Sequence, residues 1–195
     1  MSNHDKRQRI LSAATTVFAE RDFHRVLVSE VASRAGVGKG TVYLYFPTKD
    51  DLHRAALEGS LERLAAEVER AAEADAPVEA LLRDIVLSIL RFFWRRHHLL
   101  TLVQRYERRT TRRATERRRR VLDAVEGVLA RHRLGGGPAG RYLTAAFLLG
   151  LARAAILEHA PDDRVETVAA RVVDLYLHGV TGRGRAALAR QRGAA

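Results

Sequence analysis

Apolar residues recur at helical spacing along most of the chain, and no stretch alternates convincingly with the two-residue period of a half-buried strand. Besides shorter stretches, this pattern predicts helices over about 6–20, 50–74, 139–159 and 164–179. Pro77 is expected in the first turn of a further helix that reaches Trp94. The prolines fall between the predicted helices, where a missing backbone N–H is tolerated. We therefore predict an all-α fold.

One short stretch, residues 35–50 with the sequence AGVGKGTVYLYFPTKD, has a different organisation. Gly36 follows a helical run and is predicted to be its left-handed C-cap. Val42 and Phe46 are four positions apart, so they share one face of the next short helix. Its other faces carry Lys39, Thr41, Tyr43 and Tyr45. Folding alone explains such a polar face poorly, whereas contact with phosphates and base edges in a DNA major groove explains it well.

Two helices joined by a short turn that contains glycine, the second short and polar-faced, form a helix-turn-helix. This region resembles the TetR/AcrR family of bacterial transcriptional regulators. The residues that carry the resemblance are Glu30-Val31-Ala32, Ala35-Gly36-Val37, Lys39-Gly40-Thr41-Val42-Tyr43, Tyr45-Phe46 and Lys49. With the polar face, it implies contacts with a double-stranded DNA operator by Ser29, Lys39, Gly40, Thr41, Tyr43, Tyr45 and Lys49.

The chain departs from the family pattern at the starts of both helices. Leu27 and Val28 stand where the family often has Thr or Ser, so the usual hydroxyl cap is absent and Ser29 is the nearest substitute. Gly38 stands where a Ser is common before the recognition helix, and glycine is also a tolerated cap. These departures concern affinity more than the kind of function.

Other polar residues near the predicted DNA reader leave alternatives open. Thr48 is predicted to be the N-cap of the long 50–74 helix, with Asp51 three residues later. Lys49 lies in the first turn, where a cation opposes the helix dipole, and this favours a phosphate contact over a stabilising role. Three cations near the start of the first helix could either contact phosphate or be solvated: Lys6, Arg7 and Arg9.

The segment 142–157 is apolar nearly all round, with Arg153 as its only charge. Such a helix needs cover on both sides, and a partner subunit could supply one of them. The segment is too short, and too interrupted by Gly150 and Arg153, to favour a membrane span. The resemblance implies a homodimer in which the last two helices form a four-helix bundle. The expected interface residues are Leu143, Phe147, Leu149, Gly150, Val172 and Tyr176.

The resemblance also implies a pocket for a small-molecule effector, whose binding would move the 50–74 helix. Candidate walls are Phe92, Phe93, Trp94, Leu102, Tyr106 and Phe147, although ordinary core packing is the alternative for each. Five cations lie within nine residues at Arg105, Arg108, Arg109, Arg112 and Arg113. A solvated face is their usual explanation, but this density repels itself unless an anion lies nearby.

An apolar tail joined to a polyanionic head would satisfy both the aromatics and the arginines. Acyl-coenzyme A has this form, and the layout from Phe92 through Arg108 is similar to the FadR-like branch of the family. The expected ligand set therefore includes Arg108, Arg109 and Arg112. The leading hypothesis is a cytoplasmic, homodimeric repressor that a small molecule, such as an acyl-CoA, releases from a palindromic operator.

Charge alone does not locate the DNA site. The formal net charge is +11, yet residues 1–50 hold eight Lys/Arg and five Asp/Glu, a net +3, so the remaining 26 basic and 18 acidic residues supply +8. A basic architectural protein that binds DNA without sequence preference is therefore a second hypothesis, based on the arginine cluster and the C-terminal tail. Specific footprinting at raised salt would separate the two.

An enzyme is the third hypothesis, and the motifs do not favour it. The absence of cysteine excludes disulfides, thiolate zinc sites and cysteine nucleophiles. The glycines of residues 36–41 do not form a phosphate loop, because Lys39 is not followed directly by Ser or Thr. The adjacent His97 and His98 mark a helix end rather than a metal-ligand pair. We expect no catalytic residue, no metal site and no cofactor.

The chain is predicted to divide into three parts. Residues 1–49 form the helix-turn-helix domain, and residues 50–182 form a helical regulatory and dimerisation domain. Residues 183–195 form a basic tail rich in Gly, Ala and Arg, expected to be disordered. No secretory signal opens the chain, so a cytoplasmic location without a membrane partner is expected.

Overall fold

A computed structural model describes residues 3–21, 23–94, 103, 112–160 and 162–179. Within these ranges the regular structure is helical and contains no strand, which confirms the predicted all-α fold. The α-helices, in chain order, are α1 (Asn3–Glu20), α2 (Val28–Ala35), α3 (Lys39–Tyr45), α4 (Lys49–Glu73), α5 (Val78–Phe93), α6 (Arg112–Arg131), α7 (Pro138–Glu158) and α8 (Val165–His178).

Most helix bounds agree with the sequence pattern within a few residues. Two prolines show where α5 and α7 begin. Pro77 precedes α5 as its N-cap instead of lying in the first turn, because its ψ of 148° is extended. Its carbonyl nevertheless accepts the first helical hydrogen bonds, from the backbone N–H groups of Ala80 and Leu81. Pro138 begins α7, where its missing N–H costs nothing.

The chain forms two compact units, Met1–Arg63 and Leu64–Ala195, and the boundary between their residue ranges falls within the sequence of α4. The first unit packs α1 against α2 and α2 against α3. Its core contains Ile10, Ala14 and Val17, which recur at helical spacing along α1 and are fully buried. Leu52, from the beginning of α4, belongs to the same hydrophobic cluster. The predicted helix-turn-helix domain of residues 1–49 thus lies within a unit that includes the first turns of α4.

In the second unit, α5 packs against α6, α7 and α8. The apolar face of α5 is buried at Leu82, Ile85 and Leu90. The C-terminal half of α4 is joined to α6 by an ion pair in which Arg120 donates two hydrogen bonds, each 2.6 Å long, to the carboxylate of Glu69. This unit therefore combines an apolar helical core with polar attachments at its surface.

Several predicted features lie outside the described residues. They are the histidine pair His97 and His98, the ligand candidates Leu102, Tyr106, Arg108 and Arg109, Arg105 of the arginine cluster, and the tail 183–195. The remaining candidate residues can be placed.

Candidate nucleic-acid interface

The turn between α2 and α3 is closed by backbone hydrogen bonds around Gly36. Gly36 has φ 62° and ψ 43°, which confirms the predicted left-handed C-cap. Its N–H donates to the carbonyl of Ser33, and the N–H of Val37 donates to the carbonyl of Ala32, each over 3.0 Å. This pairing satisfies carbonyls that the end of a helix would otherwise leave without partners.

The recognition-helix candidate α3 has one buried face and one open face. Val42 and Phe46 are buried together, as their spacing predicts. Lys39, Gly40 and Tyr43 are exposed, and the Lys39 ammonium lies 5.9 Å from the centre of the Tyr43 ring. The open face therefore offers a cation and a phenol to a partner. A Cβ added at Gly40 would meet nothing within 4 Å, so the backbone is open to close approach there.

Leu44 also lies on the open side of α3, and the predicted DNA-binding set omits it. It is 79% exposed, more than the other large apolar side chains of the described chain that are identified as exposed. Its position two residues after the buried Val42 is the signal that could have found it, because that offset points away from the core in a helix. An apolar side chain on this face can contact the methyl group of thymine.

Three residues of the predicted DNA-binding set are partly covered by their own chain. Thr41 and Tyr45 are half-buried, and the Tyr45 hydroxyl hydrogen-bonds to Asn3 in α1. The Lys49 ammonium lies 4.5 Å from the centre of the Phe23 ring and donates a 3.4 Å hydrogen bond to a backbone carbonyl. The structure thus brings Lys39, Gly40 and Tyr43 onto one open face, while Tyr45 and Lys49 also have internal partners.

The helix starts show which N-terminal N–H groups lack a side-chain cap. Leu27 and Gly38 are the N-caps of α2 and α3, and neither makes a side-chain capping bond, as the sequence predicts. Ser29 is exposed in the first turn of α2. At α4, by contrast, Thr48 caps the helix as predicted: its hydroxyl accepts a 3.0 Å hydrogen bond from the N–H of Asp51. Helix starts without side-chain caps can bind anions, since their N–H groups point outward.

A second exposed surface, the α7–α8 face, is apolar. Its members are Tyr142, Leu143, Phe147, Leu157 and Leu175. Of the predicted interface residues, Leu143, Phe147 and Gly150 are exposed, and Leu149 is half-buried. Val172 is buried by its own chain, so it lies outside this face. The 21-residue helix α7 is long and apolar enough to cross a membrane, so the expectation that it is too short for a span is wrong, although core helices of soluble proteins pass the same test.

Tyr176 supports the α7–α8 face from α8. Its ring centre lies 6.3 Å from that of Phe147, and its hydroxyl donates a 3.2 Å hydrogen bond to the backbone carbonyl of Thr144. Partial burial raises the pKa of Tyr176 to about 12, so the phenol remains neutral. The two aromatic rings therefore join α7 and α8 at this surface.

The described ligand candidates occupy different environments. Phe93 is buried and its ring centre lies 4.8 Å from that of the half-buried Phe92. The Trp94 ring stacks on His159 with 3.9 Å between ring centres, a pairing for which the sequence contains no local signal. Phe147 lies on the α7–α8 face instead of in the interior. Arg112 is exposed and pairs with Glu116 over 2.7 Å.

Comparison with known proteins shows which family the N-terminal region resembles. The sequence profile of "Bacterial regulatory proteins, tetR family" matches residues 10–56. The repressor LfrR of Mycolicibacterium smegmatis is 39% identical over 84 residues, which are 43% of each chain. The chain spans about half or less of the length of the curated relatives it matches first. These relatives are named as regulators and not as enzymes, which agrees with the prediction that the chain has no catalytic activity.

Solved structures share the fold over nearly the whole chain. A TetR/AcrR-family regulator from Thermobifida fusca has a TM-score of 0.71 at 22% identity, with 90% of this chain and 98% of that chain covered. FadR from Bacillus subtilis, in complex with stearoyl-CoA, has a TM-score of 0.63 at 21% identity, with 89% and 98% covered. The matched segment 10–56 contains the helix-turn-helix, so the N-terminal region of this chain is similar to the DNA-binding region of the tetR family of bacterial regulators.

Proposed function

We propose that this protein is a cytoplasmic repressor that binds a palindromic DNA operator as a homodimer and is released by a small-molecule effector. The observation that carries the proposal is the open face of α3, where Lys39, Gly40 and Tyr43 are exposed next to an internally stabilised turn. A short helix with this face fits the major groove, where base edges and phosphates accept and donate hydrogen bonds. The name of LfrR supports repression as the mode of regulation.

The α7–α8 face supports the proposed homodimer. Leu143 and Phe147 are 71% and 57% exposed, and they belong to a group of large apolar side chains on two adjacent helices. Large exposed apolar side chains grouped on adjacent helices are typical of protein–protein interfaces. A two-fold dimer presents two copies of α3, so the operator should be a palindrome whose half-sites are separated by whole turns of B-DNA.

Selection from random DNA tests the operator directly. The purified protein is expected to enrich a palindromic sequence and to protect it in footprinting at raised salt. Non-specific electrostatic binding collapses under the same conditions. Recovery of unrelated sequences with equal affinity would instead favour the basic architectural protein. A reporter gene placed behind the selected operator then distinguishes repression from activation.

For the effector we propose a fatty or aryl acyl-CoA. The aromatic residues Phe92 and Phe93 offer apolar surface, and α6 opens with six arginines and one glutamate in residues 112–120. Arginines in the first turn of a helix oppose its dipole, which makes a polyanionic partner favourable there. The similarity of fold to FadR, whose solved complex contains stearoyl-CoA, supports the same ligand class.

Release of fluorescent operator DNA, followed by anisotropy, tests this effector. Acyl-CoAs of increasing chain length are compared with free fatty acid and free coenzyme A, and the acyl-CoAs alone are expected to release the DNA. The double variant Arg108→Ala/Arg112→Ala should need more acyl-CoA, whereas Arg83→Ala, which removes one positive charge from α5, should respond like wild type. Failure of every acyl-CoA, or an equal response of the double variant and wild type, would reject this ligand.

A further inference from the structure

The beginning of α1 is attached to the helix-turn-helix at three places. The guanidinium of Arg9 donates to the backbone carbonyls of Ala35 and Gly36, over 2.5 and 3.3 Å. The guanidinium of Arg7 lies 5.4 Å from the centre of the Phe46 ring. Asn3 accepts a hydrogen bond from the hydroxyl of Tyr45. These contacts involve the turn before α3, the last residue of α3 (Tyr45) and the C-cap of α3 (Phe46).

We infer that Arg9 is a positioning residue for DNA recognition: it holds the turn before α3 and thereby sets the position of the recognition helix. This inference rests on the proposed operator binding. The backbone hydrogen bonds that close the turn use the carbonyls of Ala32 and Ser33, and Arg9 donates to two further carbonyls of the turn, those of Ala35 and Gly36. A cation is favourable at this end of α2, which is the negative end of the helix dipole.

Arginine suits this position because its planar guanidinium presents several donors in a rigid arrangement. One guanidinium nitrogen lies within hydrogen-bonding distance of both carbonyl oxygens. A lysine ammonium is a compact charge on a flexible stem, so it would keep the charge without the same geometry. Arg9 is an exposed residue, and its guanidinium is nevertheless bonded to the turn of its own unit.

Gly36 and Arg9 depend on each other. A Cβ added at Gly36 would lie 2.5 Å from the Nη2 atom of Arg9, closer than real contacts allow. Glycine at this position thus supplies the positive φ of the turn and also the space that the guanidinium occupies. A side chain at position 36 must displace Arg9, so the effects of changes at the two positions should not add.

The DNA-dependent test compares Arg9→Met and Arg9→Lys with Lys6→Met, which removes one charge from the same part of α1. Each protein is titrated with operator and with unrelated DNA over a series of salt concentrations, at a temperature where circular dichroism shows it folded. Arg9→Met should weaken operator binding about tenfold, the loss expected for hydrogen bonds to a charged group. Its affinity for unrelated DNA and its salt slope should stay at the wild-type values.

Arg9→Lys should recover only part of the operator affinity, because it restores the charge and not the geometry. Lys6→Met should leave the ratio of specific to unrelated binding unchanged. An equal loss on all DNA, with the salt slope reduced by about one, would identify Arg9 as a phosphate contact and overturn the inference. Full recovery in Arg9→Lys would also overturn it, since charge alone would then suffice.

A second test needs no DNA. Backbone amide exchange at Gly36 and Val37 should be faster in Arg9→Met than in Lys6→Met, because the turn loses its attachment. In a double-mutant cycle, Gly36→Ala should lower the melting temperature less in the Arg9→Met background than in wild type. Additive effects with unchanged exchange would overturn the inference. Coupled effects in a protein that selects no operator would support the turn contact and count against the proposed function.

Discussion

The exposed face of α3 and the exposed α7–α8 face differ in almost every chemical respect. The α3 face combines a lysine, a tyrosine and an open glycine with one exposed leucine. The α7–α8 face contains five large exposed apolar side chains, and the same helices also carry exposed charges such as Arg153 and Arg171. A face with hydrogen-bond donors suits reversible binding of a polar partner, because water can hydrate the face when the partner dissociates. An apolar face suits a partner that remains bound, because its exposure to water is unfavourable. The comparison supports the proposals made above, operator DNA for the first surface and a second subunit for the other.

The two faces also differ in how their own units support them. Residues near α3 make hydrogen bonds and cation–π contacts with α1 and the segment before α2, through Arg9, Tyr45 and Lys49. The α7–α8 face is supported by packing, with Phe147 beside Tyr176. Recognition of DNA bases requires an accurately placed helix, and directional contacts serve this purpose. An apolar interface tolerates small rearrangements because the hydrophobic effect is not directional.

The largest effect is expected when the apolar face receives a charge. In the variant Phe147→Glu, burial of a carboxylate in the interface would be costly, so the dimer should dissociate. A monomer loses the gain of binding two half-sites together, which corresponds to about a hundredfold or more in operator affinity. Sedimentation velocity measures the first effect, and anisotropy with operator DNA measures the second.

A matched variant, Phe147→Leu, keeps the apolar character of the same position and should remain a dimer that binds operator. If wild type itself sediments as a well-behaved monomer at micromolar concentration, the α7–α8 face has another role. The proposed assignment of the α7–α8 face to a second subunit would then be wrong.

An intermediate effect is expected on the α3 face. Tyr43→Ala should weaken operator binding by about 1–3 kcal/mol, because the ring and its hydroxyl are lost from the open face. Tyr43→Phe retains the ring beside the Lys39 ammonium and should lose less. Anisotropy titrations with operator and with point-mutated operators measure both effects. Wild-type affinity in Tyr43→Ala would show that α3 does not read the operator.

The sequence predicts features that depend on neighbouring residues and misses those that join distant ones. The left-handed Gly36, the buried Val42 and Phe46 and the Thr48 cap obey local rules of helix geometry, so each could be anticipated. Trp94 stacks on a histidine of the loop after α7, and such a pairing leaves no local pattern.

The predicted role of Phe147 shows the same limit. Helical periodicity marks 142–157 as apolar on every side, but it cannot tell which side the chain itself covers. Phe147 was therefore expected both in a pocket and at an interface, and the fold exposes it. For Arg9, the pattern left phosphate contact and solvation open because the turn it contacts is 26 residues away in sequence.

A smaller effect is expected at Lys49, which borders the α3 face. Lys49→Ala should lower affinity for all DNA sequences alike and reduce the salt slope by about one. It should also lower thermal stability slightly, because the ammonium lies over the Phe23 ring and such contacts contribute about 0.5–1 kcal/mol. Salt titrations and thermal melts separate the two roles. An unchanged salt slope with a lower melting temperature would leave Lys49 with a stabilising role only.

The smallest effect is expected at an ion pair that belongs to neither exposed face. The hydrogen bond from Arg120, opposed in part by desolvation, holds the pKa of Glu69 below its ordinary value. A carboxylate with a lowered pKa stabilises the fold above its ordinary pKa, and this contribution is lost as the pH falls through the lowered value. Both side chains are about a third exposed, so Arg120→Met should cost no more than about 1 kcal/mol.

Urea unfolding measured from pH 7 down to about pH 3 tests this ion pair. The stability difference between wild type and Arg120→Met should be largest near neutral pH and should shrink below about pH 4, where carboxylates become protonated. Arg119→Met is the matched control on the same helix, because its 3.5 Å contact with Asp123 is more exposed and should contribute almost nothing. Since neither arginine lies on α3 or the α7–α8 face, both variants should dimerise and bind operator like wild type. Loss of either property in Arg120→Met would show that the two faces are not independent of the rest of their units.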